Sequence, residues 1–454
     1  MIELPGTLKV LSCFNYNAVP PQPPSGPLSE IITPSSQLRI PKKISPFLPS
    51  ESRRLCSISS FGLSGTLAHI IIGETLEQVE LPHSSFNPTS PEIFLVSACS
   101  ADDLSLKVKR YVEYFSNQHL TQSELGPAAR TSQIARDHFP VRTAWMVRTW
   151  QDLINGLREF FLKPSLPLSP PHNFSTPRIG IWFGLPFSRT EVVNNHPLYQ
   201  SILAGMSNTE WDDAYATLKD QIVIARCLLE LGCEISAVGG AGMAEYAAGV
   251  FTGTIPPHAV FRVAETNTES SMHAVRCGES ELKEYVTAWR SDQLRIVDQH
   301  SPNLFTITGN TKCVEGLAKE KHVKLSAPFP NPTILMPLGS FRPSSVPIVS
   351  AHTGSVLDDE TLTSFNYWNG TQQRDSDSMT ALNVLKSRCD ILVDLSLVEG
   401  LGKGLEDGFI AAHGNSLERI VGVLFEHGCS IKWSKFSSRG PLFRLPGYSW
   451  CPDA

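Results

Sequence analysis

The sequence predicts an α/β fold, and three observations carry that prediction. Short apolar runs alternate with segments of helical period. One run ends in a tight glycine turn that leads straight into a helix. The chain has 454 residues with 41% hydrophobic content, enough for real cores and, at roughly 150 residues per domain, for two to three domains.

Taken in order, residues 19–28, VPPQPPSGPL, are proline-rich and exclude a regular element. Residues 81–91, LPHSSFNPTSP, and 164–177, PSLPLSPPHNFSTP, read as linkers. Between them IFLVSA (93–98) has the look of a short buried strand. The following segment repeats Leu104, Val108, Tyr111, Val112 and Phe115 at helical spacing. VRTAWMVR (141–148) is a second strand and QDLINGLREFF (151–161) a helix, which together make a small α/β unit. After residue 177, IGIWFGL is a strand and YATLKDQIVIARCLLELGC a long helix. EISAVGG (234–240) is a strand whose glycine turn opens the helix MAEYAAGVFTG, the geometry of a doubly wound sheet. LRIVDQHSPNLFTITGN holds two strands of a small subdomain. DILVDLSL (390–397) is a late strand, and LERIVGVLFEHGC a final helix stopped by Gly428. No internal repeat is visible.

Composition excludes several function classes. A net charge of −6 argues against a nucleic-acid partner, which needs a concentrated basic face. The densest basic cluster, Lys107, Lys109 and Arg110, reads as the solvated face of a helix. No apolar run approaches the roughly 18–20 residues of a membrane span, and Glu3 and Pro5 stand where a signal peptide needs positive charge and then apolar residues. The expectation is a soluble, cytoplasmic protein without membrane attachment. The cysteines are Cys13, Cys56, Cys99, Cys227, Cys233, Cys277, Cys313, Cys389, Cys429 and Cys451, with no C-x-x-C pair. No metal and no cofactor is expected, and buried reduced thiols are the default. The glycine-rich VEGLGKGLEDG (398–408) fits neither G-x-G-x-x-G nor G-x-x-x-x-G-K-[ST], so a nucleotide loop is not supported.

LKVLSCFNYNAVPP (8–21), SISSFGLSGTLAHIIIGE (57–74), RDHFPVR (136–142), SPNLFTITGN (301–310), NYWN (366–369) and FRLPGYSW (443–450) follow one another in an order that resembles the region of a polyketide synthase running from ketosynthase to acyltransferase, of the fungal iterative type. SISSFGLSGTLAHIIIGE (57–74) is similar to the ketosynthase C-terminal pattern S-S-F-G-x-x-G-T-N-A-H, with Leu67 at the Asn. LKVLSCFNYNAVPP (8–21) resembles the helix and Pro-Pro turn before it. RDHFPVR (136–142) resembles the R-x-H-F-x-x-R stretch of the interdomain linker. SPNLFTITGN (301–310), NYWN (366–369) and FRLPGYSW (443–450) resemble acyltransferase segments, with His300 where an Asn is usual.

The resemblance implies an acyltransferase-like α/β-hydrolase core with an inserted ferredoxin-like subdomain, a small α/β linker domain before it, and a partial thiolase-fold remnant first. The implied division is a ketosynthase remnant at 1–76, a linker at 77–90, the interdomain linker domain at 91–163, and a Pro-rich linker at 164–177. The acyltransferase-like domain follows at 178–435, with its small subdomain at about 268–326, and a tail at 436–454.

An acyl transfer from a thioester needs a nucleophile, a base and oxyanion donors. The family motif G-H-S-x-G-E is matched by GAGMAE (240–245). Ala241 stands at the His, Gly242 at the nucleophilic Ser and Ala244 at the second glycine, while Glu245 is kept. The family's base falls on Pro330, or on Pro332 in a second register, and the oxyanion Gln on Leu185. The arginine that holds an extender carboxylate falls near Thr266, with Arg262 a helical turn away. Cys233 and Ser236 lie nearest the turn, and Ser236, on the preceding strand, is expected to be packed. His69 matches a structural position of the ketosynthase, and His300, His352 and His413 are isolated in sequence. The resemblance therefore implies no catalytic residue in this chain. The first expectation is a catalytically inactive accessory or docking partner in secondary-metabolite biosynthesis. It would associate through residues 1–76 with a polyketide synthase or a second copy. The alternatives are an active acyltransferase with a relocated nucleophile, and a non-functional fragment of a synthase gene.

Overall fold

The computed structural model describes residues 3–22, 40–48, 53–62, 65–74, 91–162, 176–184, 195–206, 216–256, 262–264, 270–288, 293–320, 325, 333–335, 341–370, 375–396, 416–437 and 440–448. The chain forms two compact units, Met1–His83 and Ser84–Ala454.

The first unit holds helix α1 (Glu3–Tyr16), the short antiparallel pair β1 (Ala18–Val19) and β2 (Ser45–Pro46), and a hairpin of β3 (Leu55–Phe61) and β4 (Leu67–Gly73). The hairpin register runs from Leu55↔Gly73 to Phe61↔Leu67. Alternation gives it two faces. Ile58, on one face, lies against Gly6 of α1. Leu55, Phe61, Leu67 and Ile71, on the other, are exposed. The stretch 69–72 is paired along one side with β3. Arg54 ties the unit together. Its buried guanidinium pairs with Glu74, donates to Asn17 Oδ1 at 2.9 Å, and lies 5.5 Å and 5.0 Å from the ring centroids of Phe14 and Phe47.

The second unit begins with the antiparallel pair β5 (Glu92–Ala98) and, after α2 (Ala101–Ser116) and α3 (Leu125–Ile134), β6 (Val141–Val147), followed by α4 (Trp150–Glu159). Ser100 caps α2 by accepting from the Asp103 N–H, and Thr149 with Asp152 forms a capping box on α4. The apolar run 93–98 is continuous because both faces of β5 are covered. Phe94 and Val96 meet α2 and α4, while Ile93 and Leu95 join the larger core. Lys107 departs from the solvated face expected of it. It is buried, because its stem fills space between α2 and β5 while Nζ donates to Ser97 O at 3.1 Å. Lys109 and Arg110 are exposed as expected.

In chain order there follow β7 (Ile179–Phe183), α5 (Pro197–Gly205), α6 (Ala216–Glu230), β8 (Ile235–Gly240), α7 (Ala244–Thr252) and β9 (Arg262–Ala264). Next comes an inserted unit of β10 (Ser270–Arg276), α8 (Glu279–Ala288), β11 (Leu294–Ser301), β12 (Leu304–Asn310) and α9 (Thr311–Glu320). Then come β13 (Thr333–Leu335), which pairs with β9, and β14 (Ile348–Ser350) and β15 (Ser355–Val356). The helices α10 (Asp359–Thr363), α11 (Phe365–Gly370) and α12 (Ser378–Lys386) precede β16 (Ile391–Asp394), α13 (Leu417–Glu426) and α14 (Trp433–Phe436). The central sheet has the order β15-β14-β8-β7-β16, parallel except for the β15 edge. Residues of α6, α7 and α13 bury one face, and Ala381, Leu382 and Leu385 of α12 the other. The inserted unit is an antiparallel sheet of order β10-β12-β11, with Leu325 bridged to Val275 and a core of its own around Phe305, Ile307 and Leu317. It has one strand, β10, beyond the two expected from 294–310.

Three histidines around α13 make stability pH-dependent. Burial pushes the imidazoles of His138, His196 and His427 below their ordinary range. His196 Nδ1 accepts the Leu198 N–H that starts α5, a bond its protonation removes. The folded chain therefore resists protons that the unfolded chain accepts near pH 6.5. Stability is full above that value and falls below it, by at most about 1.4 kcal/mol per pH unit for each histidine. Glu92 and Glu426, raised by burial, offset part of this at the acid end. The urea midpoint should be lower at pH 5.5 than at pH 7.5, and His138→Phe should shrink the difference. Equal midpoints would refute this.

Candidate functional site

Strand β8 sits between β7 and β14, and its carboxyl end opens into the turn Ala241–Met243 before α7. Ala351 N–H donates to Gly240 O at 3.4 Å, which holds the end of β14 beside the turn. The turn requires glycine at Gly240, where a Cβ would come within 2.8 Å of the Ala244 backbone. Gly242 has φ +54°, the left-handed region, and among the described residues a Cβ there would meet nothing within 4 Å. A sharp strand-to-helix turn of this kind is where a nucleophile is displayed in α/β hydrolases. Ala244 is fully buried and Ala241 half-buried against the α12 side of the sheet.

Glu245, in the first turn of α7, is fully buried and gathers groups from two other elements. The Tyr367 phenol of α11 donates to Oε1, and its oxygen lies 2.7 Å from Ser350 Oγ at the end of β14. His352 Nε2 stands 3.6 Å from Oε2, while its Nδ1–H donates to Asp375 O at 2.9 Å. His352 N–H also donates to Ser350 Oγ at 3.1 Å. Beside this network the Tyr246 phenol donates to Trp368 O. The carboxylate is thus enclosed by protein, and its evident work is to tie α7 to β14 and α11 beneath the turn. Sequence reading missed the arrangement. His352 and Tyr367 lie more than a hundred positions from Glu245, and the only local signal was the kept Glu in 240–245.

The other named residues separate from this cluster. His300 hydrogen-bonds Thr306 Oγ1 at 2.8 Å and lies 3.4 Å from Asp298 Oδ2 in the inserted unit. Cys233 is buried, and burial pushes its thiol up to about 12, the opposite of an activated nucleophile. Ser236 is half-buried, less enclosed than expected. Its strand starts at the sheet's amino end, so it lines a cavity of about 440 Å³ with Arg178, Ser387 and Arg388, and its Oγ donates to Ile179 O at 3.2 Å. His69 hydrogen-bonds Ser59 in the hairpin. Gln221 pins Gly184, at the end of β7, through both backbone groups. Leu185, Pro330, Pro332, Thr266 and His413 lie outside the described residues, as does 398–408. Arg262 is in β9. Among the described residues no three His, Cys, Asp or Glu side chains are grouped to hold a metal ion. Among them no helix is long and apolar enough to cross a membrane.

The fold is that of the acyltransferase domains of polyketide synthases. The acyltransferase domain of SpnD aligns with a TM-score of 0.56 at 16% identity, over 77% of this chain and 98% of that one. The acyltransferase domain of ZmaA aligns with a TM-score of 0.56 at 14% identity, over 79% and 98%. In sequence, the chain is similar to phthioceranic/hydroxyphthioceranic acid synthase of Mycobacterium tuberculosis, 25% identical over 353 residues, 69% of this chain and 16% of that protein. It is also similar to highly reducing polyketide synthase AFT9-1 of Alternaria alternata, 24% identical over 348 residues, 68% of this chain and 11% of that protein. The chain thus spans less than a fifth of these multidomain relatives. No family model matches it.

Proposed function

We propose that this chain is a polyketide synthase-derived, acyltransferase-like protein of secondary-metabolite biosynthesis. It has lost acyl transfer and serves as an accessory or docking partner of a synthase. The single observation that carries the reading is Gly242. The turn has the left-handed conformation of a nucleophile elbow, with nothing among the described residues within 4 Å of a Cβ there, yet offers no side-chain oxygen or sulfur. Without that atom no covalent acyl-enzyme forms at this point. The enclosed Glu245 network supports conservation of the fold rather than of the chemistry. The inserted unit, with Leu325 beside β10 and β12 between β10 and β11, supports the ferredoxin-like assignment. The hairpin of β3 and β4, with α1 on one face, supports reading residues 1–76 as a ketosynthase remnant of a fungal iterative synthase.

The test is intact-protein mass spectrometry after incubation with a panel of acyl-CoAs. No adduct should map to residues 234–246. An acyl group there that survives dilution would overturn the reading and favour a working transferase.

A further inference from the structure

The amino ends of β7, β8 and β16 lie on the side of the central sheet opposite the Gly242 turn. The cavity of about 440 Å³ lined by Arg178, Ser236, Ser387 and Arg388 opens there. Arg178 immediately precedes β7. Its backbone N–H, Nε and Nη2 donate to the Asp390 carboxylate at 2.8, 3.2 and 3.1 Å, which clamps the guanidinium. Among the described residues Nη1 is left without a hydrogen-bond partner. Arg388, two residues beyond α12, is exposed, and among the described residues its side chain makes no hydrogen bond or ion pair. The end of α12 does not oppose an anion beside these two guanidiniums. The carbonyls of Asn383, Val384, Leu385 and Lys386 accept from Ser387 N–H, Ser387 Oγ, Arg388 N–H and Cys389 N–H, so the negative pole of the helix is satisfied within the chain. Lys386, whose charge is felt at Cys389, adds a third cation against the carboxylates of Asp390 and Glu234, both felt at Arg178. The hydroxyls are differently placed. Ser236 Oγ donates to Ile179 O at 3.2 Å and Ser387 Oγ to Val384 O at 2.7 Å, so what each has left to offer a ligand is its lone pairs.

We propose that this cavity is a binding site for a sugar monophosphate. The phosphate accepts from the fork of Arg388 and from Nη1 of Arg178. Its three terminal oxygens accept from both guanidiniums at once, and a planar fork binds such a group through paired N–H donors. Asp390 already fills the other edge of Arg178, so it fixes that guanidinium as a preformed half of the site. The sugar hydroxyls donate to the lone pairs of Ser236 and Ser387. The volume is that of a small-molecule site and exceeds what a phosphate alone fills. The site lies at the end of the sheet away from the β8 turn, so it does not depend on whether that turn transfers acyl groups.

The test is calorimetric titration of the full chain with ribose 5-phosphate, inorganic phosphate and ribose at constant ionic strength. Ribose 5-phosphate should bind saturably and more tightly than inorganic phosphate, and ribose should not bind. Arg388→Gln should weaken ribose 5-phosphate about tenfold, the loss of one charge-assisted contact. Its side chain is exposed, so the variant should fold as the parent does. Arg388→Lys should recover only part of the affinity, because an ammonium keeps the charge but not the fork. Ser387→Ala should weaken ribose 5-phosphate and leave inorganic phosphate unchanged. Absence of saturable binding, or an affinity that Arg388→Gln leaves unchanged, overturns the site. Equal affinities for ribose 5-phosphate and inorganic phosphate, or an equal response of both to Ser387→Ala, overturn the assignment of the sugar.

Discussion

Gly242→Ser alone should leave malonyl and acetyl transfer near background. The substitution itself is tolerable. The left-handed conformation costs a non-glycine residue about 1–2 kcal/mol, and among the described residues nothing lies within 4 Å of a Cβ there, so the variant should fold. A serine hydroxyl is nonetheless a weak nucleophile at neutral pH. A positioned base contributes about 10²–10⁴ in rate and an oxyanion donor about 10²–10³, and such groups act as a unit rather than additively. On our reading this chain lacks both, with a proline where the base should stand and Leu185 where the oxyanion Gln should be. His352 does not fill the gap, because Nδ1 is bound to Asp375 O and Nε2 faces Glu245. The variant should therefore run about four orders of magnitude or more below a competent acyltransferase. Single-turnover transfer from radiolabelled malonyl-CoA measures this. A rate within tenfold of a competent domain would show that base and oxyanion donors survive in places the alignment of motifs does not reveal.

The central strands were legible in the sequence because they are buried on both faces and read as continuous apolar runs, as in IGIWFGL. The turn at Gly240 was legible because only glycine permits the close approach of α7. Other elements were not. Strand β14 is three residues long, too short for any periodicity, although it places Ser350 and His352 beside the turn. Strand β10, SSMHAVR, mixes polar and apolar residues, and it closes the sheet of the inserted unit. The burial of Lys107 was invisible because a lysine on an amphipathic helix ordinarily reaches water. Here Ser97 O and the Tyr448 ring, one of them more than three hundred positions away, meet the ammonium. What escaped the sequence was long-range pairing of polar side chains, which follows from packing and leaves no local pattern.

Replacing Phe61, Leu67 and Ile71 together by serine should abolish self-association, or association with a synthase, without lowering thermal stability. The three side chains are 71%, 72% and 65% exposed, so their removal opens no cavity. With Leu55 they make an apolar strip on the outer face of β3 and β4. A two-stranded hairpin is marginal in water by itself, yet this one is pinned from within by Arg54 and Glu74, so the unit is specified rather than loose. A specified unit that leaves large apolar side chains in water is a surface for a partner or a seed for aggregation. Among the described residues no further strand pairs with the outer edges of the hairpin, whose backbone groups a strand from another chain can pair. Under the docking reading, the parent chain should run above monomer mass by light scattering, or co-purify with a synthase from the producing cell. The triple variant, and a shortened chain beginning near Pro91, should then run as monomers and recover no synthase. If parent, variant and shortened chain all behave as equally soluble monomers and none recovers a synthase, residues 1–76 are not a docking surface, and the accessory role falls with them.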